Sequence, residues 1–148
     1  MSSVGEWIVQ GARRESPFWA DAVLDVPDWE PVFSPLVPDA LATGLETVYE
    51  AYLVHYGRPR LFDPPDGDEA VLLGDYLYAH GLVRIAEAGG VPAVAVLAEL
   101  IARCAALRAD GARGDGAAWV EASRALGGEP GDDDIRRALE RHSGRVAT

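Results

Sequence analysis

Apolar positions run almost unbroken through residues 66–110, DGDEAVLLGDYLYAHGLVRIAEAGGVPAVAVLAELIARCAALRAD. The pattern predicts two long helices joined at Gly89-Gly90. Asp66 followed by Glu69 is a capping-box-like start, and Asp68 adds negative charge to the first turn. From Val71 to Ala86 only Asp75, His80 and Arg84 interrupt the apolar surface. Pro92 opens the second helix, in which Glu99 and Arg103 are the main polar positions. Helices apolar on nearly every side are either membrane spans or core helices. No run reaches the roughly 18 uncharged apolar residues of a span. Asp75 and Glu99 would each cost about 2.5–3.5 kcal/mol near its centre. The expectation is a core hairpin and no membrane span. Gly74, Gly81 and Ala88 recur every seven residues, with Ala70 one turn earlier, making a small-residue groove for another helix.

The flanking segments read as shorter helices and a strap. Val4, Trp7 and Ile8 share a face if residues 4–13 are helical, and an extended arm is the alternative. Ser16-Pro17 is a helix start. Residues 25–38 hold four prolines, which excludes a regular helix. They predict an extended segment anchored by Trp29, Val32 and Phe33. An amphipathic helix follows from Pro38 to Tyr56, with Leu41, Leu45, Val48, Tyr52 and Tyr56 inward and a stop at Gly57. Asp63, Asp66 and Asp68 form a solvated, capping turn, since their spacing does not fit a calcium loop. Beyond residue 110, short helices are expected over 117–126 and from Asp132 onward, with Ile135, Ala138 and Leu139 inward. No strand alternation appears. The fold class is all-α: one domain over 1–148, a helical bundle with a central apolar hairpin. Residues 1–38 are an irregular Pro-rich arm, 39–110 the core helices and 111–148 short C-terminal helices.

Composition narrows the function. A chain of this length buries about 68–70% of its extended surface. The net charge of −11 repels phosphate backbones and anionic membrane surfaces. All 13 basic residues are arginine, which suggests a GC-rich bacterial genome. The single Cys104 excludes an internal disulfide and reads as a small buried hydrophobe. No signal peptide is visible, which predicts a cytoplasmic protein.

AVLLGDYLYAHGL at 70–82, the Gly-Gly turn and IARCAALRADG at 101–111, with Gly57-Arg58-Pro59 upstream, resemble a segment of the trans-polyprenyl (isoprenyl) diphosphate synthases. That family carries a helix of the form A-x-L-x-G-D-Y/F-L-x-A. The resemblance covers about residues 46–111 and implies a shortened isoprenoid-synthase-like fold. Catalysis in the family needs two Asp-rich helices holding magnesium against a diphosphate, with basic clamps on the leaving group. Here no D-D-x-x-D occurs. The place of the first motif reads Glu46-Thr47-Val48-Tyr49-Glu50, and the clamping lysines are absent. Glu46 and Glu50 are expected on a solvated face, and Arg58 and Arg60 beside nearby acids. The matching Asp75 is not a metal ligand in the family. It is expected to be structural, bonded to backbone or to an arginine, and His80 to be a satisfied buried histidine. Asp132-Asp133-Asp134 reads as a helix cap.

The sequence therefore assigns no catalytic, cofactor-binding or metal-ligating residue. It nominates Gly74, Asp75, Tyr76, Tyr78 and Gly81 as interface or groove residues, the tyrosines being ordinary core residues in the plainer reading. Apolar faces left uncovered by short flanking helices drive association, so a homodimer or a heteromer is expected. The resemblance implies a non-catalytic subunit paired with a catalytic prenyl diphosphate synthase. The alternative is a helical binding or dimerisation module for an apolar ligand or partner helix, and an enzyme of unrecognised chemistry ranks last.

Overall fold

The computed structural model describes residues 3–146. Six helices follow in order: α1 (Ser3–Glu15), α2 (Pro17–Asp21), α3 (Ala42–Tyr56), α4 (Gly67–Ala109), α5 (Asp115–Ala125) and α6 (Asp132–Ser143). Short 3₁₀ turns at Ser34–Leu36 and Asp39–Leu41 lead into α3. Among the described residues there are no strands, only isolated bridges joining Val23 to Phe62 and Gly57 to Val146. The all-α class is as expected. Part of the arm is helical, because Ile8, Val9 and Ala12 on α1 bury one face.

The α4 hairpin is present. Gly90 sits at φ 70° and ψ −169°, a conformation only glycine adopts without strain, and breaks α4 into limbs 67–89 and 91–109. Asp66 caps the first limb, its carboxylate accepting from the Glu69 amide at 2.9 Å. That limb runs antiparallel to α3: Ile85 lies against Gly44, Gly81 against Val48 and Gly74 against His55. The second limb returns alongside α3, with Leu41 near Gly89 at the turn and Tyr52 bonded to Arg108 near the far end.

The most enclosed helix is α3. Eleven of its 15 residues are buried, whereas α4 buries nine of 43, so α3 is the axis and α4 wraps it with one face. Two apolar clusters flank that axis. One joins α3 to both limbs of α4, α5, α6 and the strap through Phe33, Leu45, Val48, Leu97 and Trp119. The other joins it to α1, α2 and the first limb through Ile8, Ala51, Phe62, Leu73 and Leu77. Each fully buried large apolar side chain contributes about 1.5–3 kcal/mol.

The strap over 25–38 has almost no secondary structure, so its backbone groups need other partners. Three arginines and one glutamate supply them. Arg145, Arg60 and Arg141 donate to the carbonyls of Asp28, Glu30 and Pro31 at 2.8–2.9 Å. Glu46 Oε2 accepts from the amides of Val32 and Ser34 at 3.0 Å each. Val32 and Phe33 are buried as expected, and Trp29 lies 4.3 Å from the Arg60 guanidinium. Gly57 ends α3 in extended rather than left-handed backbone. A Cβ there would come within 2.6 Å of the Arg145 carbonyl, so close approach of residues 145–146 is what demands glycine.

Candidate functional site

The five nominated residues fall on different sides of the first limb. Gly74 receives the His55 ring, and Gly81 receives Val48, whose Cγ2 would lie 2.7 Å from an added Cβ. The small-residue groove is thus filled by the chain's own α3. Tyr76 stacks on His80 beneath α1 and lies near Trp19. Tyr78 stacks on His55 at 5.3 Å and lies within electrostatic reach of Tyr56 and Cys104. Asp75 is not buried. Its side chain is 67% exposed and sits 3.5 Å from His55 Nε2, so water supplies the solvation that a buried carboxylate would have needed from a partner. Burial holds the His55 imidazole below its ordinary range, with Asp75 working in the other direction. His80 is half-buried between the rings of Trp7 and Tyr76, and its Nε2 has no hydrogen-bond partner among the described residues. Aromatic stacking holds it instead of the hydrogen bond expected.

Glu46 and Glu50 do not form a solvated face. Both are buried, and both grip Arg60, itself fully buried. Arg60 Nη1 lies 2.5 Å from Glu46 Oε1, and Nε lies 2.9 Å from Glu50 Oε1. Glu50 Oε2 also accepts from the amides of Arg60 and Leu61. Burial works against the Arg60 charge, but the two carboxylates outweigh it and raise its pKa. All four carboxylate oxygens are engaged by N–H donors. The pair is therefore closed to a cation unless Arg60 leaves. Arg58, by contrast, pairs with Asp28 at 3.2 Å on the surface, as expected of it.

A second polar cluster escaped the sequence reading. Asp115 Oδ2 accepts from Tyr52 at 2.6 Å and from Arg108 at 2.7 Å, and His142 Nε2 stands 3.1 Å away. Tyr49 bonds His142 Nδ1 at 2.7 Å. Burial would raise the Asp115 pKa, yet the neighbouring His142, the Tyr52 hydroxyl and the charge of Arg108 hold it well below the usual carboxylate range. Burial pushes both tyrosines above theirs, so both keep their protons. His142 Nε2 faces Asp115 Oδ2 without completing a hydrogen bond to it. The Tyr-His-Asp line is thus interrupted at Nε2, and Tyr49 and His142 are enclosed. A cleft of about 120 Å³ between the second limb and α5 is lined by Val96, Leu100 and Ala118 among others. Another, of about 260 Å³, lies between the strap and the α5–α6 turn. Neither includes a member of the cluster. The cluster clasps α3, α4, α5 and α6 together. No local pattern announced it, because its members come from four separate helices.

The outer face of the hairpin is apolar and exposed. Val71, Leu72, Val83 and Val91 are 52–80% exposed. Ala79, Ala86, Ala95, Ala98 and Ala102 are exposed between them. Among the described residues α4 is the one helix long and apolar enough to cross a membrane, with a mean hydropathy of 1.8 over 18 residues that are 22% buried. Within either limb alone, every 18-residue stretch holds at least three charged residues. The qualifying stretch has at most two, so it straddles the break at Gly90. No protein-family model, curated protein or solved structure matches the chain.

Proposed function

We propose that this protein is a non-catalytic docking subunit that presents the outer face of its α4 hairpin to a companion chain. The observation that carries the reading is the apolar exposure of that face: large aliphatic side chains stand in water on both sides of Gly90. Burial of such surface yields about 25 cal/mol per Å², which drives association. Chain-to-chain docking suits it better than membrane insertion, since its apolar stretch is folded at Gly90 rather than straight.

The sealed state of Glu46 and Glu50 supports the non-catalytic half of the proposal. These carboxylates stand where the resemblance to polyprenyl diphosphate synthases places the first magnesium-binding motif, and Arg60 occupies them. The same resemblance makes a catalytic long-chain prenyl diphosphate synthase the first companion to try. The test is to assay the protein with allylic and isopentenyl diphosphates and magnesium, alone and beside such a synthase. No turnover alone, with co-purification and altered product length beside the synthase, is the expected result. Turnover by the protein alone overturns the proposal.

A further inference from the structure

We infer that the protein has a second docking surface, along the edge where α2 and residues 22–26 meet residues 61–68. Its occupant is a basic amphipathic segment of a partner protein. The inference goes beyond the hairpin reading and uses none of the outer face of α4.

The backbone builds the edge. The Leu24 amide donates to the Leu61 carbonyl at 2.8 Å, and the Asp63 amide to the Ala22 carbonyl at 2.7 Å. Val23 and Phe62 form an antiparallel bridge between these bonds. The segment after α2 and the segment before α4 therefore lie side by side, although α3 separates them in sequence. Ser16 caps α2, its hydroxyl accepting from the Phe18 amide at 3.1 Å. Trp19 and Val23 pack inward against the cluster of α1 and the first limb.

The charge on this edge is one-sided. Residues 15–30 and 61–69 hold nine of the 24 acids, and of the 13 arginines only the neighbouring Arg13, Arg14, Arg58 and Arg60 adjoin them in sequence. Asp28 and Glu30 are taken up by Arg58, Arg141 and Arg145, and Arg60 is buried between Glu46 and Glu50. Glu15, Asp21, Asp25, Asp63, Asp66 and Asp68 are exposed, and among the described residues none of them has a basic side chain in ion-pair contact. On α6, by contrast, Asp133 and Asp134 each pair with an arginine three residues on. Carboxylates gathered without counter-charges attract a cationic partner and speed its approach.

Apolar side chains stand among these acids. No residue of α2 is buried, Phe18 is 65% exposed and Val26 is 84% exposed. With Tyr56 they are the large exposed apolar side chains outside α4 among the described residues. Four helical residues and at most four extended ones separate them, so they lie within about 20 Å, a length that a short helix spans. A divalent cation or a polyamine would meet the carboxylates and leave Phe18 and Val26 in water. Nucleic acid and anionic lipid are repelled. A basic amphipathic segment satisfies both, its cations facing the acids and its apolar side chains covering Phe18 and Val26.

The probe is a dye-labelled amphipathic peptide of leucine and lysine, with a leucine–glutamate peptide as its control. Each is titrated with the full chain by fluorescence anisotropy over a series of salt concentrations. One edge variant combines Phe18→Ser and Val26→Ser. The other combines Asp21→Asn, Asp25→Asn and Asp63→Asn. A third variant, Leu72→Ser with Val83→Ser, alters the hairpin face instead. All seven side chains are exposed, so each variant should keep its helix content by circular dichroism. The wild type should bind the lysine peptide and not the glutamate peptide, more weakly as salt rises. Each edge variant should bind it roughly tenfold more weakly or worse, and the hairpin variant within about twofold of wild type. No binding by the wild type overturns the inference. So does a loss in the hairpin variant as large as that in the edge variants, because the contact then lies on α4. A loss confined to the Asp→Asn variant overturns it too, since attraction by charge alone needs no docking surface. The synthase assay decides the hairpin reading separately.

Discussion

Arg60 shows how much a single side chain can hold. It neutralises two buried carboxylates, satisfies a strap carbonyl and packs its plane against Trp29. Replacing Arg60 by Met leaves Glu46 and Glu50 buried without a counter-charge. Removing one partner from a buried ion pair costs about 3–5 kcal/mol. Urea or thermal unfolding should show that loss, with a fall in Tm of roughly 10 °C or more. Arg136→Met is the control. It breaks an exposed pair with Asp133 and should leave the midpoint in place. Equal effects from the two variants would contradict the assigned role of Arg60. The sequence displayed the acids and the arginine but misplaced the acids. Glu46 and Glu50 are four apart on a helix, which reads as a wet face when the partner is out of view. The partner lies beyond the helix end, and only the fold-back of residues 58–62 brings it inward. Asp66 and Ser16 were legible because each cap meets its amide two or three residues away.

The same rule operates among the elements. The break at Gly90 was readable, since there glycine acts on its own backbone, and the end of α3 at Gly57 was readable too, although a contact with residues 145–146 is what requires the glycine. That α3 would fill the Gly74–Gly81 groove was not, because small residues record that something comes close and not what it is. Gly81 faces Val48 and the Gly44 carbonyl, so a larger residue must push α3 from the first limb. Overpacking of this kind costs about 1–3 kcal/mol. Gly81→Val should therefore lower the urea midpoint without changing the slope m. An unchanged midpoint would mean that the two helices are not packed as tightly as described.

For the molecule as a whole, the Asp115 clasp ties acid stability to tertiary structure. Its carboxyl is held below the ordinary range in the folded state and returns to about 3.9 on unfolding. Between those limits the unfolded chain binds more protons, so stability rises with pH across that window. The contribution is fully present above about pH 4 and is lost as pH falls further towards the folded value. Asp115→Asn should be less stable than wild type at pH 7, and the gap should narrow below about pH 4. Unfolding titrations at several pH values measure this, and a gap constant with pH would place the stabilisation in other groups. The all-α class and the hairpin were legible from periodicity because they depend on neighbours in sequence. The clasp depends on residues 49, 52, 108, 115 and 142 meeting in space, which periodicity does not encode.

The arginine-fastened strap has a consequence for how the molecule is made. The bonds from Arg141 to Pro31 and from Arg145 to Asp28 span 110 and 117 residues. A nascent chain leaving the ribosome cannot close them until residue 145 has emerged, so until then Glu46 and Arg60 alone hold the strap over α3. Contacts of such long range slow folding and prolong the life of sticky intermediates. Closing the strap over the core is therefore among the last steps of the molecule's formation.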